Sequence, residues 1–266
     1  MFQVLLLMIY LAFVSLGLPD GLLGASWPSM RAQMDLPMSY MGIISTIISI
    51  GTIVSSLQSD RLTKNLGAGK VTALSVALTA FALFGFGISP SFVWLCVFAI
   101  PYGLGAGSVD AALNNYVALH YSSKHMSWLH CMWGLGASVG PYVVSFTLGQ
   151  GQVWNNAYFY VGMIQVALTI GLFASLTLWR RDETVASGNH QVLSLRQIFA
   201  LPGAKEVMIC FFCYCGLEAT TGLWVTSYMV VCHQYKQPAL LVCFISGLRS
   251  GVGSMAFWPC VLTINS

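Results

Sequence analysis

Three acidic side chains stand inside long apolar stretches of this 266-residue chain: Asp20, Asp110 and Glu218. If those stretches cross a membrane, a charge at the bilayer centre costs at least ~2.5–3.5 kcal/mol on insertion scales. Acids kept there are functional candidates by default. Glu218 shares a helical face with Tyr214 and Thr221 through i−4 and i+3 spacing, and Trp224 and Tyr228 lie on the adjoining arc. Aromatic faces stack on the C–H surface of a sugar, and a carboxylate accepts its hydroxyls, so this group reads as a polyol site. The competing reading is a protonated Glu buried between helices. Asp20 follows Pro19 and is flanked by Gly17, Gly21 and Gly24, residues that break a span locally and free backbone groups to line a cavity. A carboxyl drawn partly out of water holds a proton more readily, which suits a group that loads and releases one. The alternative is a structural acid near the outer face. Asp110 shares a face with Gly103, Gly107 and Asn114. It either lines a cavity as a further proton-coupling carboxyl, with Asn114 touching solute, or bonds to a neighbouring helix.

Other reactive types fit blander readings. His120, His125 and His130 have no zinc-protease spacing. Only His130 is placed to enter the bilayer, as a hydrogen-bonded helix residue or a relay, and Trp133 one turn on is expected to line the pore. Cys210, Cys213 and Cys215 lie mid-span without a second ligand pair, so they are expected to pack rather than bind metal. The Gly136-x-x-x-Gly140 pattern permits close helix approach, with Pro141 bending the span. Arg249 either pairs with an acid, Glu218 among them, or reaches water. Ser26 with His130 as base lacks the rest of a hydrolytic site, so no enzyme is expected.

The elements that must position these residues follow from composition. The chain is 57% hydrophobic and 7% charged, against roughly 25% charged in soluble domains. A membrane helix needs about 20 apolar residues. Eight candidate spans run near 3–28, 38–57, 70–88, 91–118, 126–148, 156–179, 205–231 and 239–260. No period-two alternation supports a barrel. The fold class is therefore an all-α integral membrane bundle. With the N-terminus inside, Arg61, Lys64, Lys70, Lys124, Arg180, Arg181, Arg196 and Lys205 are cytoplasmic, and only Arg31 and Lys236 lie outside. That bias gives the orientation. The long polar segment after the sixth span divides the chain into a six-helix bundle (1–179), a central cytoplasmic loop (180–204) and a partial second bundle (205–266). Spans one and seven share a faint repeat, SLGLPDGLLGASW against YCGLEATTGLW, as parallel halves would.

Between spans two and three, SLQSDRLTKNLGAGK resembles the signature loop of the major facilitator superfamily, G-x-L-x-D-R-x-G-R-R. Asp60 and Arg61 match its core, Ser56 replaces its leading Gly, and three extra residues precede Gly67; Lys70 closes the segment. The resemblance implies a cytoplasmic latch whose Asp faces a helix end in the opposite half. YGLGAGSVDAALNNY, LHCMWGLGASVGPYV and FCYCGLEATTGLWVTSY look like the fucose/proton-symporter-like branch. That branch lacks the span-four Arg of drug exporters, and Ile100 and Tyr102 stand at the corresponding positions here. Twelve spans are implied. Eight are legible, so a C-terminally truncated chain is expected.

The implied function is secondary active transport by alternating access: proton-coupled uptake of a sugar or similar polar compound. It needs no cofactor beyond the proton gradient. The expected partners are a small solute, protons and the lipid bilayer, not nucleic acid, and the chain is expected to be a monomer in the cell membrane. The alternatives are a proton-antiport exporter of drugs or metabolites and a truncated, non-transporting remnant.

Overall fold

A computed structural model describes residues 2–179, 197 and 199–233. Every element it assigns among the described residues is helical: α1 Phe2–Gly17, α2 Leu22–Met34, α3 Tyr40–Leu66, α4 Ala68–Ile88, α5 Phe92–His120, α6 Ser123–Gly149, α7 Asn155–Ala174 with a short 3-10 turn Ser175–Leu178, and α8 Ala204–His233. Among the described residues seven stretches are long and apolar enough to cross a membrane, with α1 and α2 together forming the first, Val4–Met34. The expected eighth span at 239–260, its Arg249, and most of the 180–204 segment lie outside the described residues.

The break in the first span falls where proline and glycine place it. Pro19 has no N–H to donate, and the chain turns through 18–21 with Asp20 N–H bonded to Gly17 O at 3.1 Å and Leu22 N–H to Pro19 O at 3.0 Å. At the other end of the bundle the signature segment differs from its expected form. It is not a loop. α3 continues to Leu66, nine residues beyond the expected end of span two at 57, because nothing from Ser56 to Leu66 breaks a helix. Lys64 Nζ donates to Asp60 Oδ2 at 2.8 Å, the one ion pair among the described residues, and supports the helix at i,i+4 spacing. The turn into α4 is made by Gly67 alone, at φ +83°.

Lipid tails supply neither hydrogen bonds nor a hydrophobic drive between helices, so packing rests on close approach. α5 lies between α3 and α4, α4 packs on α7, and α1 packs on α6. Where α3 crosses α5, hydroxyls donate to backbone carbonyls of the facing helix: Thr52 Oγ1 to Gly103 O at 3.3 Å, Ser56 Oγ to Gly107 O at 3.1 Å, and Ser59 Oγ to Ser108 O at 3.4 Å. Each such bond is worth about 0.6 kcal/mol in membrane proteins. Ser56→Ala is therefore expected to lower stability by about that amount, read as a small fall in the unfolding midpoint in detergent. One cluster of buried side chains surrounds Trp27, Leu83 and Trp154, and another surrounds Phe13, Leu113 and Leu129. Outward faces carry Ile50, Ile53, Leu57, Phe146 and Ile170, all exposed. Apolar surface on that scale belongs in lipid.

Candidate functional site

The break in the first span presents Asp20 to a cavity of about 270 Å³. Its carboxylate is held from two other helices. Trp133 Nε1–H, from α6, donates to Oδ2 at 2.8 Å, and the Tyr102 hydroxyl, from α5, donates to Oδ1 at 3.3 Å. Glu218 of α8 lines the same cavity, with Cys215 one turn before it. Ser45 and Ser49 of α3 add hydroxyls, and Phe86 and Tyr158 add aromatic wall. Tyr158 is fixed from behind by the Ser26 hydroxyl at 3.2 Å and stacks on Phe86 with ring centroids 5.6 Å apart. Carboxylates, hydroxyls and ring faces converge on one small volume between the first six spans and the seventh.

α8 enters this arrangement through small residues. Gly24 of α2 lies against the Gly222 carbonyl and the Leu223 backbone so closely that no Cβ fits between them. That crossing sets the rotation of α8 and turns Cys215, Glu218, Ala219 and Gly222 toward the cavity.

The sequence matches the Major Facilitator Superfamily over residues 9–262. The chain belongs to the Major Facilitator Superfamily.

Curated relatives agree with that membership. Bypass of stop codon protein 6 of Saccharomyces cerevisiae is 23% identical over 269 residues, covering 90% of this chain and 54% of its own. The transporter y4wD of Sinorhizobium fredii is 26% identical over 162 residues, covering 57% of this chain and 41% of its own. The MFS-type transporter YfkL of Bacillus subtilis is 20% identical over 225 residues, covering 82% and 56%. The chain thus spans about half the length of these relatives. The relatives y4wD and YfkL carry the name of transporters. Ser26 is buried, and its hydroxyl donates to Leu22 O at 2.6 Å.

Within this superfamily chain the residues singled out from sequence separate into those at the cavity and those away from it. Asp20, Trp133 and Glu218 meet there. The other residues grouped with Glu218 do not line it. Tyr214 lies against Phe211 with ring centroids 6.3 Å apart, the Thr221 hydroxyl donates to Leu217 O at 2.8 Å, Trp224 packs on the cluster around Trp27, and Tyr228 is 55% exposed. Positions 214 and 221 flank Glu218 on one side and 215 and 222 on the other. The α2 crossing selects the second side. Asp110 and Asn114 also lie outside the cavity lining. Asn114 Nδ2 donates to the Asp110 carboxylate at 2.9 Å and to its carbonyl at 3.0 Å. His130 is within electrostatic reach of Asp110 and sits edge-on to Phe13. His125 Nδ1 bonds the Tyr10 hydroxyl at 2.8 Å, and His120 Nδ1 contacts Tyr116 O at 2.8 Å. Asp60, Arg61 and Lys70 are exposed at the far end of the bundle, around the Gly67 turn. Among the described residues no group of three or more His, Cys, Asp or Glu side chains is arranged to hold a metal ion.

Sequence reasoning missed Tyr102 as a site residue, and missed Tyr158, Ser45 and Ser49 altogether. Tyr102 is a polar tip in a Gly-rich apolar helix, and buried Tyr hydroxyls find partners. That was the available signal. The serines carried none, since hydroxyls are common on membrane helices.

Proposed function

We propose that this chain forms the solute path of a proton-coupled secondary transporter that takes up a small polar compound, with a sugar of the fucose/proton-symporter type as the first candidate. The observation that carries the reading is Asp20: a carboxylate accepting bonds from Trp133 and Tyr102 inside a cavity that Glu218 also lines. Ring faces suit the C–H surface of a sugar, and carboxylates and hydroxyls suit its O–H groups. Alternating access works when solute affinity differs between the proton-loaded and unloaded states. A titrating group touching the solute cavity supplies that difference. The N-terminus is cytoplasmic in this reading, the chain acts as a monomer in the cell membrane, and the proton gradient is the energy source.

Reconstitution into vesicles tests it. Uptake of labelled L-fucose under an imposed inward proton gradient is the readout. Asp20→Asn and Glu218→Gln are each expected to reduce gradient-driven accumulation by roughly 5–150-fold, the range that coupling energies of 1–3 kcal/mol span. Unchanged accumulation in both variants removes these carboxyls from the mechanism. The apolar wall made by Leu23, Leu83 and Phe86 favours a second reading, proton antiport of an amphipathic solute. Gradient-driven efflux of a hydrophobic dye without sugar uptake selects it. Absence of flux in either direction selects a non-transporting remnant.

A further inference from the structure

We infer that Tyr102 converts the protonation of Asp20 into a change in what the cavity offers a solute. The inference rests on the reading of Asp20 as the coupled carboxyl and assigns Tyr102 a positioning role that the reading does not require. Two donors on Asp20 among the described residues, Trp133 and Tyr102, are chemically unequal. An indole N–H only donates, so Trp133 bonds Oδ2 in the same way whether the acid is charged or neutral. A phenol donates or accepts. The Tyr102 bond is also the longer of the two, 3.3 Å against 2.8 Å, and a longer bond is the weaker one.

With Asp20 ionised, the single Tyr102 hydroxyl hydrogen is committed to Oδ1. When a proton from the aqueous cavity lands on Oδ1, two donors would face each other across that contact. The bond reverses: Oδ1–H donates to the Tyr102 oxygen, and the phenolic hydrogen turns toward the cavity. No covalent bond of Tyr102 breaks, and one proton is gained by the carboxyl. The cavity thereby acquires a hydroxyl donor for a solute oxygen in the proton-loaded state alone, so proton loading precedes tight solute binding. The surroundings leave few competitors for this role. Among the described lining residues the other titratable groups are Tyr158 on α7 and Cys215 and Glu218 on α8; α3 and α4 contribute none. The Tyr158 hydroxyl is engaged with Ser26. His130, one turn from Trp133 on α6, lies edge-on to Phe13 and within electrostatic reach of Asp110.

Infrared difference spectra of the full chain between low and high pH read the reversal without any solute. The tyrosine C–O stretch shifts when a phenol passes from donor to acceptor. The expected result is a shifted tyrosine band in the unaltered protein that is lost in Tyr102→Phe and in Asp20→Asn and kept in Tyr158→Phe. No tyrosine band in the unaltered protein, or a band that persists in Tyr102→Phe, overturns the inference. A band lost in Tyr102→Phe but kept in Asp20→Asn overturns it too, and with it the assignment of Asp20 as the coupled carboxyl. A band lost in Asp20→Asn but kept in Tyr102→Phe removes Tyr102 while leaving Asp20 in place. If Tyr102→Phe fails to fold, the unaltered protein and Asp20→Asn still decide: a pH-dependent tyrosine band insensitive to Asp20 sinks the idea.

Discussion

Gly136→Leu is expected to abolish stable packing of α1 on α6, with a loss of about 3 kcal/mol or more, at the upper end of overpacking costs. A Cβ at Gly136 would run into the Val14 carbonyl, and one at Gly140 into the Leu18 carbonyl; from the opposite side Gly17 meets the Trp133 carbonyl and the Ala137 amide nitrogen. These obstacles are backbone, so no rotamer change relieves them. Separating α1 from α6 also moves Pro19 and Asp20 away from Trp133, so the site goes with the interface. The control lies on the same helix. Gly134 has nothing within 4 Å of a Cβ among the described residues, and Gly134→Leu is expected to unfold at the same denaturant concentration as the parent in detergent. Gly→Leu raises helix propensity at both positions, so equal losses for the two substitutions would show that close approach at Gly136 does not set the cost.

Gly24→Leu is expected to displace α8 from α2 while α1 to α7 stay folded. The nearest atoms to a Cβ at Gly24 belong to Gly222 and Leu223 of α8, so a larger side chain pushes against that helix first. Loss of the crossing removes Glu218 from the cavity, costs about 1–3 kcal/mol of packing, and eliminates gradient-driven uptake. Trp224 reports the movement, because its indole packs against the cluster around Trp27. Its fluorescence, isolated by subtracting a Trp224→Phe background, should shift to the red, while the denaturant midpoint of the first six spans holds. Gly216, on α8 with nothing within 4 Å of a Cβ among the described residues, supplies the matched substitution that should leave emission and uptake unchanged. An unshifted Trp224 spectrum in Gly24→Leu would mean that α8 is not seated by this crossing.

The signature segment shows how a local reading goes astray. Charges at 60, 61 and 64 look like loop residues when a span is defined by apolar length alone. An α-helix does not end where the bilayer does. It ends where a residue refuses helical geometry, and the first to do so is Gly67. The residues grouped with Glu218 meet a different limit. Helical spacing identifies neighbours on both sides of a residue but not which side a partner helix will cover. In lipid the apolar environment is nearly the same on every face, so no amphipathic pattern breaks the tie. Tyr214 and Tyr228 stayed away from the cavity, and Cys215 took part in it.

From sequence alone come the all-helical membrane class, the positions of the first seven spans, the break at Pro19, the close-approach glycines of α6, and the acids out of place in apolar segments. All of these are local: each helix satisfies its own backbone hydrogen bonds, and apolar length and breakers mark it out within one stretch of chain. The tertiary structure alone decided that Asp20 is gripped by Tyr102 and Trp133, 82 and 113 residues away, that Asp110 turns to its own helix neighbour Asn114, and which arc of α8 meets the cavity. Those outcomes depend on the rotation of each helix about its axis. Rotation is set by backbone contacts between small residues on different spans, and one helix does not contain that information.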